Sequence, residues 1–318
     1  MGEEYFQPDD RWTMYGITSE ELHEKHAVIK GYFHKGVPED VVKEFATVEY
    51  LMAHAYYYWP MYDEALRKCL LTFEMAIKQC SVSLGVSLKE VKKNGKPKDL
   101  SLYQLIEQLC TTHWFKPMQE TFHKIRKNRN NFAHSNRHGF MGPNGSDQFI
   151  KHIVNTLNHL FLSKQELEFY NQQTELISKE LYCLNKYVLK LEGQGHPFLL
   201  SCIYNFQPVC KDLIMTVFPM RSEYNSSPKG FDDEHPNTYV FKEYSFKDQV
   251  FEGTTKEGVE LVISVTDNPQ NIKAKKERDA YIVQLDESQK RIFHSSMNYQ
   301  ANWELVKAEY AYNKEVYF

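Results

Sequence analysis

The chain has 318 residues, 42% of them hydrophobic and 25% charged, which excludes a disordered or fibrous protein and leaves room for one or two domains. Its 38 Lys and Arg against 42 Asp and Glu give a net charge of −4, so any site for a polyanion must be a local basic patch. The first residues lack the basic and apolar regions of a secretory signal, no run approaches about 18 apolar residues, and the 6 cysteines form no C-x-x-C pair. We therefore expect a cytoplasmic protein with reduced thiols and no membrane partner.

The first two thirds of the chain carry helical periodicity. Residues 1–40 are predicted to be an N-terminal extension with a short helix, for which Ser19 is a suitable N-cap. Apolar residues then recur at three- and four-residue steps, which predicts a helical domain over 41–192. The helices are predicted at about 40–82 with a break at Pro60, then at 102–109, 117–134, 147–162 and 165–191, with a basic loop at 85–100.

The C-terminal part of the chain has a different pattern. After Pro197 a short helix is predicted, and a stretch rich in Ser, Pro, Gly and Asp follows at 222–237. Alternating segments with β-branched and aromatic residues then predict a small antiparallel sheet, with strands at Tyr239–Tyr244, Val259–Val265 and Ala280–Leu285. We expect residues 197–318 to be an α+β region, so the predicted fold class is mainly α with a smaller C-terminal α+β appendage.

One segment, residues 116–138, concentrates positive charge. It holds six Lys or Arg side chains against Glu120 alone, a net charge of +5, together with three histidines. Such a run is typical either of a solvated helix face or of a surface that binds a nucleic-acid backbone. The residues predicted as weak RNA contacts are Lys124, Arg126, Lys127, Arg137 and His138.

Helical phase sets Arg129 apart from its basic neighbours. At about 100° per residue it falls within the apolar stripe of the predicted helix. That stripe comprises Met118, Phe122, Ile125 and Phe132. An arginine at a buried position needs either an anionic side chain or a bound anion. The sequence leaves both open, and Glu74 and Glu107 are the candidate partners of a structural ion pair.

Asn130 and His134 are four residues apart, so they share a helix face next to Arg129. A guanidinium can bind a phosphate through two hydrogen bonds, an imidazole can move a proton near neutral pH, and an amide can orient either group. These groups suit phosphodiester cleavage, and no acidic cluster lies nearby, so we expect chemistry without a metal or a cofactor. Because Arg129 and His134 are about 140° apart around an ideal helix, either the helix distorts near Asn130 or a second copy of the chain completes the site.

The hexapeptide Arg129-Asn-Asn-Phe-Ala-His134 resembles the motif of HEPN ribonucleases, in which an arginine and a polar residue are followed, after three residues, by a histidine. The similarity covers about residues 40–192, because the motif lies late in a predicted helix among other helices. The resemblance implies a HEPN-like helical bundle and a homodimeric endoribonuclease with Arg129, Asn130 and His134 as catalytic residues. It also implies an RNA substrate and a role in phage defence or a toxin–antitoxin pair, with an antitoxin or another defence protein as partner.

Other function classes stay open. Some HEPN proteins no longer cleave RNA, so the resemblance also fits a nucleotide- or RNA-binding sensor module. A third interpretation is a scaffold or antitoxin in which Arg129 is only structural. Zinc binding by His134 and His138 is disfavoured, because Ser135 stands where a glutamate is needed and no third ligand is evident.

Overall fold

The computed structural model describes residues 4–92, 94–112, 114–133, 142–193, 198–220 and 235–318. The chain divides into two compact units, one made of Met1–Glu168 with Tyr310–Phe318 and the other of Phe169–Glu309. None of the helices in the described ranges combines the length and the hydropathy needed to span a membrane.

The first unit is helical. Its helices are α1 (Glu20–Ala27), α2 (Glu39–His54), α3 (Met61–Ser83), α4 (Leu102–Thr112), α5 (Gln119–Ala133), α6 (Gly142–Leu160) and the start of α7 (Lys164–Leu184). Ser19 caps α1 as predicted, because its Oγ accepts a hydrogen bond from the Leu22 N–H at 3.2 Å. The loop predicted at 85–100 is instead a hairpin of two short antiparallel strands, β1 (Lys89–Val91) and β2 (Pro97–Asp99).

Helix α3 is the centre of this unit and contacts α2, α4, α5 and α6. Apolar side chains cover most of its circumference, so it can be buried on several sides. Phe73 of α3 and Phe122 of α5 are fully buried, with ring centroids 5.9 Å apart. This packing holds α5, which carries the predicted site, against the core.

The N-terminal residues pack onto the same core. Trp12 is buried, and its Nε1 donates a hydrogen bond to the Ala55 carbonyl oxygen at 2.8 Å. Its ring centroid lies 4.4 Å from that of Trp59. Residues 1–40 therefore supply large buried side chains to the first unit.

The second unit is built around a closed antiparallel barrel. Its strands are β3 (Leu189–Glu192), β4 (Phe198–Val209), β5 (Asp212–Met220), β6 (Asn237–Lys247), β7 (Val250–Thr255) and β8 (Glu260–Val265). Neighbours in the chain pair with one another, and β8 pairs with β3 to close the barrel. Val217, Phe241 and Phe251 lie in its core, and Ile177 and Leu181 of α7 belong to the same cluster. Two helices follow, α8 (Pro269–Gln284) and α9 (Glu287–Tyr317).

The predicted fold class, mainly α as a HEPN-like bundle with a small appendage, is wrong. The structure has a closed six-stranded barrel and a second, two-stranded sheet. The sequence does not indicate β5 because almost every residue of this strand is buried, so the period-two alternation of a strand is absent. In β4 the buried residues come in runs rather than in alternation, so its pattern does not indicate a strand either.

Local predictions in the second unit had mixed outcomes. Residues 189–191, predicted as the end of a helix, form part of β3, and the short helix predicted after Pro197 is strand β4. The strand predicted at Ala280–Leu285 is the end of α8. The strands predicted at Tyr239–Tyr244 and Val259–Val265 are confirmed by β6 and β8.

Candidate functional site

Helix α5 carries the residues predicted to form the site. A 3-10 turn at Lys116–Met118 leads into it, and Met118, Phe122 and Ile125 are buried in the core. Phe132, the last member of the stripe, is half-buried and packs against the same core. The predicted apolar stripe is therefore confirmed.

Arg129 lies at the edge of this core, with 26% of its side chain exposed. Its Nη2 is 2.7 Å from Oε2 of Glu74 on α3. Of the two predicted candidates, Glu74 and Glu107, the ion-pair partner is therefore Glu74. Its Nη1 donates a hydrogen bond to Oδ1 of Asn130 at 3.3 Å. The structure thus brings Arg129 and Asn130 together, and the Arg129 Nε has no hydrogen-bond partner among the described residues.

Glu74 is shared between two cations. Lys78, one turn further along α3, donates a hydrogen bond to its Oε1 at 2.7 Å, while Arg129 meets Oε2. Burial raises the pKa of Glu74, but the hydrogen bond and charge of Lys78 and the charge of Arg129 together hold it below its ordinary value. The carboxylate is therefore ionised at neutral pH, and the three groups keep one net positive charge for an approaching anion.

Three predicted site residues, His134, Arg137 and His138, lie outside the described residues. The described part of α5 ends at Ala133. The convergence of His134 with Arg129, within one chain or between two copies, therefore stays a prediction.

The remaining predicted RNA contacts differ in their surroundings. Lys124 and Lys127 are exposed, and neither forms an ion pair with a carboxylate in the part of the chain that the structure describes. Arg126 is half-buried, its Nε donates to Nδ1 of His123 at 3.2 Å, and its Cζ lies 5.2 Å from the ring centroid of Tyr103. The two lysines thus present free positive charge, whereas Arg126 is held in one orientation.

His152 on α6 is predicted from the sequence to face solvent, and that prediction is wrong. The residue is half-buried, but its Nε2 is enclosed and has no hydrogen-bond partner among the described residues. Burial, with a smaller contribution from the charge of Lys124, lowers the pKa of its ring to about 4. His152 is therefore a neutral imidazole at neutral pH.

In comparisons with known proteins, no family model matches the chain, and no curated protein and no solved structure matches it either. Within the described ranges, no group of three or more His, Cys, Asp or Glu side chains is arranged to hold a metal ion.

Proposed function

We propose that the chain is a metal-independent endoribonuclease that acts as a homodimer, with Arg129, Asn130 and His134 as catalytic residues. The observation that carries this proposal is the position of Arg129, a half-buried guanidinium that contacts Asn130 and shares its carboxylate with a lysine. A phosphate can replace Glu74 at Arg129 without leaving that carboxylate unpaired, because Lys78 stays bound to it. The basic face of α5 then holds the rest of the RNA backbone.

In the proposed reaction, the ribose 2′-oxygen attacks the adjacent phosphorus while the bond from phosphorus to the next nucleotide's 5′-oxygen breaks. His134 takes the proton of the 2′-hydroxyl or gives one to the leaving 5′-oxygen. Arg129 offsets the negative charge that builds up on the phosphate oxygens, and Asn130 keeps the guanidinium in place. The products are a 2′,3′-cyclic phosphate and a 5′-hydroxyl, and no metal or cofactor is required.

The resemblance of residues 129–134 to the HEPN motif supports this proposal and suggests a biological setting. A cytoplasmic RNA-cleaving dimer suits phage defence or a toxin–antitoxin pair. An antitoxin or another defence protein would then restrain the nuclease until it is needed.

The ion pair between Arg129 and Glu74 favours a second candidate, a HEPN-like module that binds nucleotides or RNA without cleaving them. In that case the guanidinium stays with Glu74. Helix α5 then contributes its exposed lysines to binding and no chemistry.

Replacing each partner of the ion pair tests the proposal. Arg129→Gln should lower cleavage of a mixed RNA pool by about 10²–10³-fold, the usual cost of losing one group that stabilises charge in the transition state. Glu74→Gln, which leaves Arg129 free for phosphate, should keep cleavage within about threefold of the parent. Lys43→Gln is the charge control, because Lys43 forms an exposed ion pair with Glu39 on α2.

Rates are expressed per folded molecule, with folding followed by circular dichroism, because an orphaned buried charge destabilises a protein. Equal losses in Arg129→Gln and Glu74→Gln would show that the pair is structural and would overturn the proposal. RNA binding without cleavage by the parent would favour the second candidate.

A further inference from the structure

A second group of polar side chains joins α4 to α5. Glu107 of α4 accepts two hydrogen bonds at Oε1, from Nε2 of His123 and from Nε2 of Gln119, each at 2.7 Å. The pKa of Glu107 is lowered, first by the hydrogen bond from His123 and then by that from Gln119, so the carboxylate is ionised at neutral pH. Glu107 therefore anchors α5 residues one turn apart.

The hydrogen bonds give the two ring nitrogens of His123 different partners. A carboxylate can only accept, so the Nε2 of His123 carries a hydrogen. Its Nδ1 accepts from the Nε of Arg126, so this nitrogen carries none. Both ring nitrogens of His123 are therefore engaged in hydrogen bonds to neighbouring side chains. Its effect is to orient Arg126.

This arrangement leaves the outer edge of Arg126 without a partner in the part of the chain that the structure describes. Only its Nε is hydrogen-bonded, and Nη1 and Nη2 have no hydrogen-bond or ion-pair partner among the described residues. The guanidinium lies over the ring of Tyr103, which also stacks on His123 with centroids 5.1 Å apart. Tyr103 is nevertheless 49% exposed. A fixed guanidinium, with two donor nitrogens that no described residue occupies, therefore lies beside an accessible aromatic ring.

The surroundings of this pair are positively charged. Lys116 donates to Oε1 of Gln119 at 2.6 Å, and Lys124 and Lys127 are exposed on the same helix. These three lysines and Arg126 make four cations, whereas only two carboxylates, those of Glu107 and Glu120, lie between residues 107 and 127. The surface suits an anion that also has a flat, apolar face.

We propose that Tyr103 and Arg126, positioned by His123 and Glu107, form a subsite for a nucleotide that flanks the one being cleaved. Arg126 binds its phosphate through Nη1 and Nη2, and Tyr103 stacks on its base. Arg126 precedes Arg129 by three residues, less than one helical turn of about 5.4 Å, so the two arginines can hold neighbouring phosphates of one strand. The inference rests on the proposed function for its substrate, single-stranded RNA.

A purely structural link between the two helices would need neither the free edge of Arg126 nor the exposed ring of Tyr103. Binding of a non-cleavable probe distinguishes the two interpretations. The probe is a fluorescent single-stranded RNA with 2′-O-methyl ribose throughout, which lacks the attacking hydroxyl, and fluorescence anisotropy gives its dissociation constant at several salt concentrations.

Arg126→Gln and Arg126→Lys should each weaken binding about tenfold, because lysine keeps the charge but not the two-pronged contact. Tyr103→Leu should weaken binding by a similar factor through lost stacking. The slope of the logarithm of the binding constant against the logarithm of the salt concentration should become shallower by about 0.7 for Arg126→Gln. It should stay unchanged for Tyr103→Leu. Lys43→Gln, in an exposed ion pair on another helix, should bind within about twofold of the parent.

The positioning role of His123 has its own comparison. His123→Leu should weaken binding as Arg126→Gln does, while His123→Asn, whose amide oxygen can accept from Arg126, should recover binding to within about threefold. Melting temperatures of all variants show whether any loss reflects unfolding.

Binding by Arg126→Gln within twofold of the parent, or no binding of the probe by the parent, would overturn the subsite. If that happens while the parent still cleaves RNA, the proposed function survives and the subsite fails. If the variants lose binding but the parent cleaves no RNA, the subsite stands as an RNA-binding site and the nuclease proposal fails.

Discussion

His23 is a buried histidine whose ring has no polar partner at Nε2 among the described residues. It is 1% exposed, and its ring meets that of Trp12 edge-on at a centroid distance of 4.3 Å. Burial lowers the pKa of this ring from 6.5 to about 4. The folded protein therefore holds His23 neutral at a pH at which the unfolded chain is already protonated.

This difference predicts how stability depends on pH. The contribution of His23 is fully favourable above pH 6.5 and is lost as the pH falls from 6.5 towards 4, because only the unfolded chain takes up the proton in that range. At pH 4.5 the loss amounts to about 2–3 kcal/mol. The His23→Phe variant should lack this loss of stability between pH 7 and pH 4.5. Denaturant unfolding at the two pH values measures it.

The matched control for this prediction is His26→Phe, since His26 is exposed on the same helix. It should keep the pH dependence of the parent. If His23→Phe loses as much stability from pH 7 to pH 4.5 as the parent does, His23 is not the group responsible.

At the residue scale, helical phase alone identified Arg129 as unusual and named Glu74 as one of two possible partners. The reason is that a stripe on one helix depends only on local spacing. The contact of His123 with Glu107 could not be predicted in this way. It depends on how α4 packs against α5, and neither side chain interrupts an apolar pattern.

At the scale of elements, the last residues of α9 complete the first unit. The Tyr310 hydroxyl donates to the Lys30 carbonyl oxygen at 2.8 Å. Nδ2 of Asn313 donates to Oδ1 of Asn155 at 3.0 Å, and both asparagines are buried. A buried hydrogen bond thus joins two segments that are far apart in sequence. Removing one partner is destabilising, because the other is then buried with neither water nor a protein group to bind.

We predict that Asn313→Ala lowers the free energy of unfolding by about 1–3 kcal/mol. Asn155→Ala should cost a similar amount, and the double variant should cost clearly less than the sum, since the second change removes a group already left without this partner. Chemical denaturation of the four proteins measures this coupling. Strictly additive effects would show that the two side chains act independently.

The elements differ in how far the sequence reveals them. The helices of the first unit follow a three- and four-residue period, and α5 with its buried stripe is predicted closely. The start of α6 is not, because this helix begins at Gly142, five residues before the predicted start at 147. The barrel was not predicted as a closed structure. Its closure depends on pairing β3 with β8, which are far apart in the chain, and the buried strand β5 lacks alternation.

At the scale of the whole molecule, we propose that two copies of the chain together form the site. Arg129 and His134 are separated by about 140° on an ideal helix, so a composite site would take each residue from a different copy. Light scattering should therefore give about twice 37.6 kDa. A monomer that still cleaves RNA would refute the composite site.

Mixing two inactive variants tests the sharing of residues directly. Arg129→Gln and His134→Ala should each be inactive, but random exchange of subunits should restore roughly a quarter of the parent's activity, since half the dimers then hold one intact site out of two. The RNA cleavage rate of the mixture measures this. A mixture as inactive as its components, despite proven subunit exchange, would mean that each site uses residues of one copy.

The central claim is RNA cleavage by the ribose hydroxyl, helped by Arg129 and His134 without a metal. It is tested most directly by incubating the protein with RNA and with DNA of the same sequence in excess EDTA and identifying the product ends. We expect RNA fragments with 2′,3′-cyclic phosphate ends, uncut DNA, which lacks the attacking hydroxyl, and no cleavage by a folded His134→Ala variant. Cleavage of the DNA, loss of activity on chelation, or RNA cleavage by His134→Ala at the parent's rate would contradict the claim.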